Sequence, residues 1–290
     1  MGRTVSQSQM MSRGALKKIP LRATPFLGWG QKIHHLFFAS FLAAYIIAWL
    51  RLWLVPSLFA NVLWPDGLLI VLATATTLAS ITRRLPGQNV ILASVIIGAI
   101  SGGIESVGAL TGIPFGPFVY NYPAIGRELF PPLPWVIPLL WIFVLLNARG
   151  VARLILRPWR KIRAYGFYVI GLTALLVVLF DLGLEPFCAR VKGFWFWGPT
   201  KLPFTWYGAP FVNFIGWGMA TVLILAFATP SLIDKKKVKH PPDYQPLLLW
   251  LLLNLFLLTG VAVHQLWPAA AAIAGGTVLV GIFAVRGAKW

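Results

Sequence analysis

The sequence predicts an all-α, polytopic membrane helix bundle of about eight transmembrane helices with both termini cytoplasmic, and three observations predict it. Of 290 residues, 58% are hydrophobic and only 11% are charged, with a mean hydropathy of +0.78. An ordinary soluble domain carries roughly 25% charged residues, so this chain cannot cover a globular surface with solvated side chains. Apolar runs of spanning length recur along the chain, each near the roughly 20 residues that a membrane helix needs. The 25 Lys and Arg residues concentrate in alternate loops, as expected of segments retained on the cytoplasmic side.

The spans fall at 32–54, 65–82, 88–105, 134–148, 164–184, 208–229, 246–263 and 268–286. Lys32 and Arg51 bracket the first. The second and third turn at Arg83-Arg84-Leu85-Pro86-Gly87, where two charges, a helix breaker and a flexible residue coincide. The last two are joined by the short segment from His264 to Pro268 and form a tight helical hairpin. Residues 1–25 are polar and basic, with Arg3, Arg13, Lys17, Lys18 and Arg22. The charged stretch is long, and no short apolar core with a small-residue cleavage site follows it, so it does not read as a signal peptide. It is expected to be a disordered basic cytoplasmic tail ahead of a single membrane-embedded catalytic bundle, 26–290.

With the N-terminus inside, 20 of the 25 basic residues lie in inner segments and five, Arg51, Arg127, Arg190, Lys192 and Lys201, lie outside. A net charge of +18 could suggest nucleic acid. This partition accounts for it with no nucleic-acid partner and points to a multi-pass protein of the cell membrane, surrounded by membrane lipid. The single cysteine, Cys188, excludes an internal disulfide and a Cys-rich metal site.

Two outer loops break the pattern. The first, 106–133, carries Gly108, Gly112, Pro114, Gly116, Pro117, Tyr120 and Tyr122; the second, 185–207, carries Trp195, Trp197, Trp206 and Tyr207. Both are too apolar and aromatic for solvated loops. Non-helical backbone at membrane depth persists only where it is buried in protein or lines a cavity, so both are expected to fold back into the outer half of the bundle. For any one ring the alternative is a place in the aromatic belt at headgroup level.

Only seven residues are acidic. Asp66, Glu128, Asp234 and Asp243 fall in loops or at helix ends, as solvated acids would. Glu105 closes the third span, and Asp181 and Glu185 close the fifth with i, i+4 spacing on one helix face. All three come to the outer side. They either face a cavity or sit hydrated at the headgroup boundary. A low-dielectric site disfavours a charged carboxylate, and a protonated acid among aromatic rings is a proton donor whose neighbours can stabilise a cation. That pairing suits protonation of an alkene better than hydrolysis or phosphoryl transfer. Other chemistries lack their residues: His34 and His35 lie at the inner end, His264 at the outer end and His240 in a basic loop, and there is no HExxH, Walker loop or GxSxG elbow. Gly98, Gly102 and Gly103 read as helix-packing residues.

The run ESVGALTGIPFGPFVY from Glu105 to Tyr120 resembles the first signature of the integral-membrane carotenoid hydratases, the CruF-type 1',2'-hydratases and the bisanhydrobacterioruberin hydratases. The second signature resembles DLGLEP at 181–186, GFWFWG at 193–198 and WYGAPFVNFIGW at 206–217. Glu185 stands where the family pattern has Asp. The resemblance covers the third to sixth helices well and the remaining helices only by hydropathy.

It implies a hydro-lyase of carotenoid biosynthesis that adds water across the terminal 1',2' double bond of an acyclic carotenoid end group, of lycopene, γ-carotene or bisanhydrobacterioruberin type, to give a tertiary alcohol. No redox cofactor and no metal are needed, and other carotenoid-pathway enzymes are candidate partners. One of Glu105 and Asp181 would be the acid and the other the base to the attacking water. Tyr120, Trp195, Trp197 and Tyr207 would stabilise the cation, Asn213 or Glu185 would place the water, and Tyr122 joins the substrate-binding set. Two other readings stay open on the residues: a proton-coupled transporter of a hydrophobic solute and a non-catalytic carotenoid-binding membrane protein.

Overall fold

The computed structural model describes residues 25–54, 64–200, 204–233 and 241–290. The tail at 1–24, Lys201, Asp234, the basic run at 235–239 and His240 lie outside the described residues.

The described chain is a helix bundle. The long helices are α1 (Pro25–Leu54), α2 (Trp64–Thr82), α3 (Gly87–Thr111), α5 (Val136–Ile155), α6 (Tyr165–Pro186), α7 (Phe211–Ala228), α8 (Gln245–Val263) and α9 (Trp267–Ala288), with a single-turn α4 (Tyr122–Ile125) between α3 and α5. Seven of them are long and apolar enough to cross a membrane, and the second expected span is a shorter apolar helix over Asp66–Thr82. Each expected apolar run therefore became a helix.

The ends of two helices differ from expectation. Glu105 lies inside α3, six residues before its end. Apolarity stops near Glu105, but the helix continues because Ser106 and Thr111 bond back to the Gly102 and Val107 carbonyls. It stops at Gly112, whose left-handed φ of +75° brings its N–H to the Gly108 carbonyl. Beyond Pro186, α6 runs on through a wider turn over Phe187–Lys192 before Gly193 ends it with φ +61°. Glu185 thus opens no loop; it sits on the last regular turn of a helix.

At the centre stands α5, which packs against α2, α3, α6, α8 and α9. Most of its residues are buried. Where α3 meets it, a Cβ on Gly98 would stand 3.6 Å from Ile142 and one on Gly102 3.7 Å from Pro138. Small residues here let two backbones approach. Gly103 faces open space and has no such role.

Both Gly/Pro/aromatic loops fold against the bundle and pair with each other. Strand β1 (Phe118–Tyr120) runs antiparallel to β4 (Trp195–Trp197), with Phe118 opposite Trp197 and Tyr120 opposite Trp195. Backbone bonds from Asn121 to Phe194 and from Gly198 to Pro117, both 2.8 Å, extend the ribbon. The two-residue period puts Phe118, Tyr120, Trp195 and Trp197 on the inner face and leaves Val119 and Phe196 exposed. Two smaller ribbons, β2 (Glu128–Phe130) with β3 (Leu133–Pro134) and β5 (Thr205–Trp206) with β6 (Ala209–Pro210), complete the loop end.

Phe115 locks the first loop in place. Its ring is wedged between α3 and α7: a Cβ on Gly108 would stand 2.6 Å from one edge, and a Cβ on Gly216 2.8 Å from the other. The ring cannot retreat from one without striking the other. Gly216→Ala is therefore expected to cost about 1–3 kcal/mol by overpacking, read as a lowered Tm of the detergent-solubilised protein. Gly103→Ala should leave Tm unchanged. An unchanged Tm in Gly216→Ala would show that Phe115 does not hold the loop.

Two of the acids expected to be solvated are instead paired. Asp66 binds Lys192 at 3.0 Å, tying α2 to the turn after α6. Asp243 lies 3.5 Å from Arg84 and accepts the Gln245 N–H at the start of α8. Glu128 is exposed on β2.

Candidate active site

The three singled-out carboxyls are all buried: Asp181 has no exposed surface, Glu185 is 3% exposed and Glu105 6%. Each is held by a different set of donors, and each set follows from the local fold.

Glu105 projects from α3 between the ribbon and the central helix. Tyr120 Oη, on the inner face of β1, lies 2.8 Å from its Oε2. Trp141 Nε1, from α5, donates to its Oε1 at 2.8 Å. Burial, followed by the Glu105 carboxyl beside it, pushes the Tyr120 hydroxyl well above the ordinary tyrosine range, so it stays an O–H at any working pH.

Glu185 lies under the opposite strand. Trp195 and Trp197 both donate from Nε1 to its Oε2, at 3.1 and 2.9 Å. The Asn213 amide, in the first turn of α7, donates to Oε1 at 3.2 Å. The same amide nitrogen donates to Asp181 Oδ2 at 2.9 Å. Asp181 Oδ1 is buried with no hydrogen-bond partner. Asp181 and Glu185 share a face of α6, but one turn of about 5.4 Å separates them in depth.

The ribbon connects the two sides. Tyr120 and Trp195 are cross-strand partners, with ring centroids 6.4 Å apart and planes at 87°. One holds Glu105 and the other Glu185. Beneath them is a space of about 260 Å³ lined by Glu105, Glu185, Tyr120, Trp195, Trp197, Asn213, Trp217, Phe115 and Phe118. Trp217 stacks on Trp141 with centroids 4.1 Å apart and planes at 14°. Two carboxyls therefore face one aromatic-walled cavity. Asp181 is not among the lining residues and sits behind Asn213.

A larger space, about 740 Å³, lies on the other face of α6 against α2, α5 and α8. Its wall is Leu, Ile, Val and Phe apart from Gly67, Ala124, Cys188 and Asp66, and Asp66 is tied to Lys192. It holds no acid–base pair, whereas two buried carboxyls line the smaller cavity.

Of the nine residues the sequence singles out, six form one constellation: Glu105, Tyr120, Glu185, Trp195, Trp197 and Asn213. Asp181 joins it through Asn213. Tyr122 and Tyr207 do not line the cavity. The Tyr122 hydroxyl donates to the Pro132 carbonyl at 3.0 Å, and burial together with Glu128 raises its pKa. Tyr207 has a left-handed φ of +52°, and its hydroxyl accepts the Ala269 N–H at 3.3 Å, at the start of α9. Sequence reasoning passed over Trp141 and gave Trp217 no role. The signal for Trp141 was an indole in the middle of the fourth span, because a buried Trp N–H needs an acceptor.

Comparison with known proteins identifies the family. A family model for carotenoid biosynthesis proteins matches residues 66–282, a stretch containing every residue of the constellation. The bisanhydrobacterioruberin hydratase of Haloarcula japonica is 32% identical over 174 residues, which is 57% of this chain and 56% of that protein. The match therefore spans only a little over half of this curated relative. No solved structure matches. With three quarters of its length matched by the family model, the chain belongs to the carotenoid biosynthesis protein family.

Proposed function

We propose that this protein is a carotenoid hydratase. It adds water across the terminal 1',2' double bond of an acyclic carotenoid end group and gives a tertiary alcohol. The observation that carries this reading is the pair of buried carboxyls, Glu105 and Glu185, on one small aromatic-walled cavity. Hydration of an isolated alkene needs a group to give a proton to carbon and a group to take one from water. It also needs walls that tolerate a tertiary cation in between. The carboxyls supply the first two and the faces of the rings supply the third. In this reading the end group enters between the carboxyls and the rest of the polyene extends out of the cavity.

In this reading Glu105 and Glu185 touch the substrate. Asp181 acts from one turn deeper, through the amide it shares with Glu185. Trp217, Trp195, Trp197 and Tyr120 face the cation. The resemblance to a named hydratase supports the reaction class. The distribution of basic residues supports cytoplasmic termini, which would put the cavity at the outer end of the bundle in the cell membrane.

The test is direct. Purified protein in detergent or lipid is incubated with lycopene, and the products are analysed by mass. Hydration adds one water, and the product should behave as a tertiary alcohol. Recovery of unchanged carotenoid, even tightly bound, would leave a binding protein and overturn the reading.

A further inference from the structure

We infer that Glu105 delivers the proton to the alkene and Glu185 takes one from the attacking water, because their partners differ in what they can accept. The assignment rests on the hydratase reading above.

Glu185 is surrounded by donors, two of which cannot reverse. An indole N–H only donates, and so does an amide nitrogen. Oε2 accepts from Trp195 and Trp197, and Oε1 accepts from Asn213. Neither indole can receive an O–H from Glu185, and Asn213 presents its NH₂ to it. Three N–H groups converging on two oxygens form a seat for a carboxylate, with each bond strengthened by its charge. The three donors occupy three of the roughly four lone-pair sites of the carboxyl, so one site on Oε1 stays open to a proton from water. These donors favour the carboxylate over the acid, and Glu185 is the group placed to accept.

Glu105 has one reversible partner. Trp141 donates to Oε1 and cannot do otherwise. Tyr120, 2.8 Å from Oε2, carries a hydroxyl that is both donor and acceptor and can rotate. With Glu105 protonated on Oε2, the carboxyl donates to Tyr120. With Glu105 ionised, Tyr120 turns and donates to it. The same heavy-atom positions serve both states, so proton loss requires no rearrangement. Tyr120 is thus a positioning residue for the proton on Glu105.

The cycle balances. The Glu105 O–H breaks and a C–H bond forms at the terminal alkene with the π electrons, leaving a tertiary cation on the adjacent carbon. Water forms the C–O bond, and its surplus proton goes to the Glu185 carboxylate. That proton returns to Glu105 before the next turnover, so the sum is alkene plus water to alcohol.

The experiment is run in D2O with lycopene and follows both hydration and deuterium in the recovered alkene. Protonation without water capture returns labelled or double-bond-shifted substrate, because ionised Glu105 can take a proton back from carbon. Glu185→Gln should lose hydration by about 10²-fold or more yet still label the substrate. Glu105→Gln should lose both. Trp197→Phe removes one donor from the cage and leaves a smaller ring beside the cation, so it should lower hydration more than it lowers labelling. Tyr120→Phe should lower hydration and labelling together, in kcat with little change in KM. Labelling that survives in Glu105→Gln but is lost in Glu185→Gln reverses the assignment. Labelling lost in both, alongside an active wild type, removes the division of roles. A wild type that neither hydrates nor labels overturns the hydratase reading itself.

Discussion

Replacing Glu105 by Gln is expected to lower hydration about 10²- to 10⁴-fold, the usual contribution of a positioned general acid or base, while the protein still inserts and folds. The fold should survive because both neighbours keep a partner. The Gln carbonyl can accept from Trp141, and its NH₂ can donate to the Tyr120 hydroxyl, which accepts as readily as it donates. No buried group is stranded, so Tm should stay close to that of the wild type. What disappears is a transferable proton. Glu128→Gln is the control, since Glu128 is exposed on β2 and should leave turnover unchanged. Near-wild-type turnover in Glu105→Gln would end its assignment as an acid or base, whatever the state of Glu185.

Much of this site was legible because membrane sequences place few acids inside spans. Glu105, Asp181 and Glu185 stood out as charged residues at the ends of apolar runs, and charge partition brought them to one side. Their ranking was not legible. Sequence periodicity puts Asp181 and Glu185 on one face of α6, but it says nothing of what covers each turn. The β1–β4 ribbon roofs the upper turn, so Glu185 meets the cavity while Asp181 lies beneath it. The ribbon itself was hidden. Its strands are three residues long and about 75 residues apart in the chain, too short for alternation to register as strand.

The absence of Tyr122 from the cavity wall has a similar cause. Tyr122 is two residues from Tyr120 and would share its face if the strand continued, but the strand ends at Tyr120 and Tyr122 opens α4. The helix ends were misjudged because apolarity was taken as a proxy for helix. The hydroxyls of Ser106 and Thr111 bond within the helix, and α3 runs on past its charged residue. Trp141 was masked by its setting, an apolar helix where any large side chain reads as core.

The walls of the cavity permit a separate test of the cation. Trp195 and Trp197 are poor places for it, because each also donates to Glu185 and any replacement changes the ring and removes the N–H together. Trp217 lines the same cavity and donates to none of the three carboxyls. Trp217→Leu is expected to slow kcat about ten- to thirtyfold, since a desolvated cation–π contact is worth roughly 2 kcal/mol and each 1.4 kcal/mol is about tenfold. Trp217→Phe should fall between the two, because a smaller ring keeps part of the quadrupole and part of the stack on Trp141. The order Trp, Phe, Leu in kcat with a nearly constant KM marks stabilisation that arises only in the transition state. If the ring serves instead as an apolar slot for the carotenoid end, Leu should raise KM and leave kcat unchanged. Measuring both constants across the three side chains separates these outcomes, and a flat kcat would confine catalysis to the carboxyls and their hydrogen-bond partners.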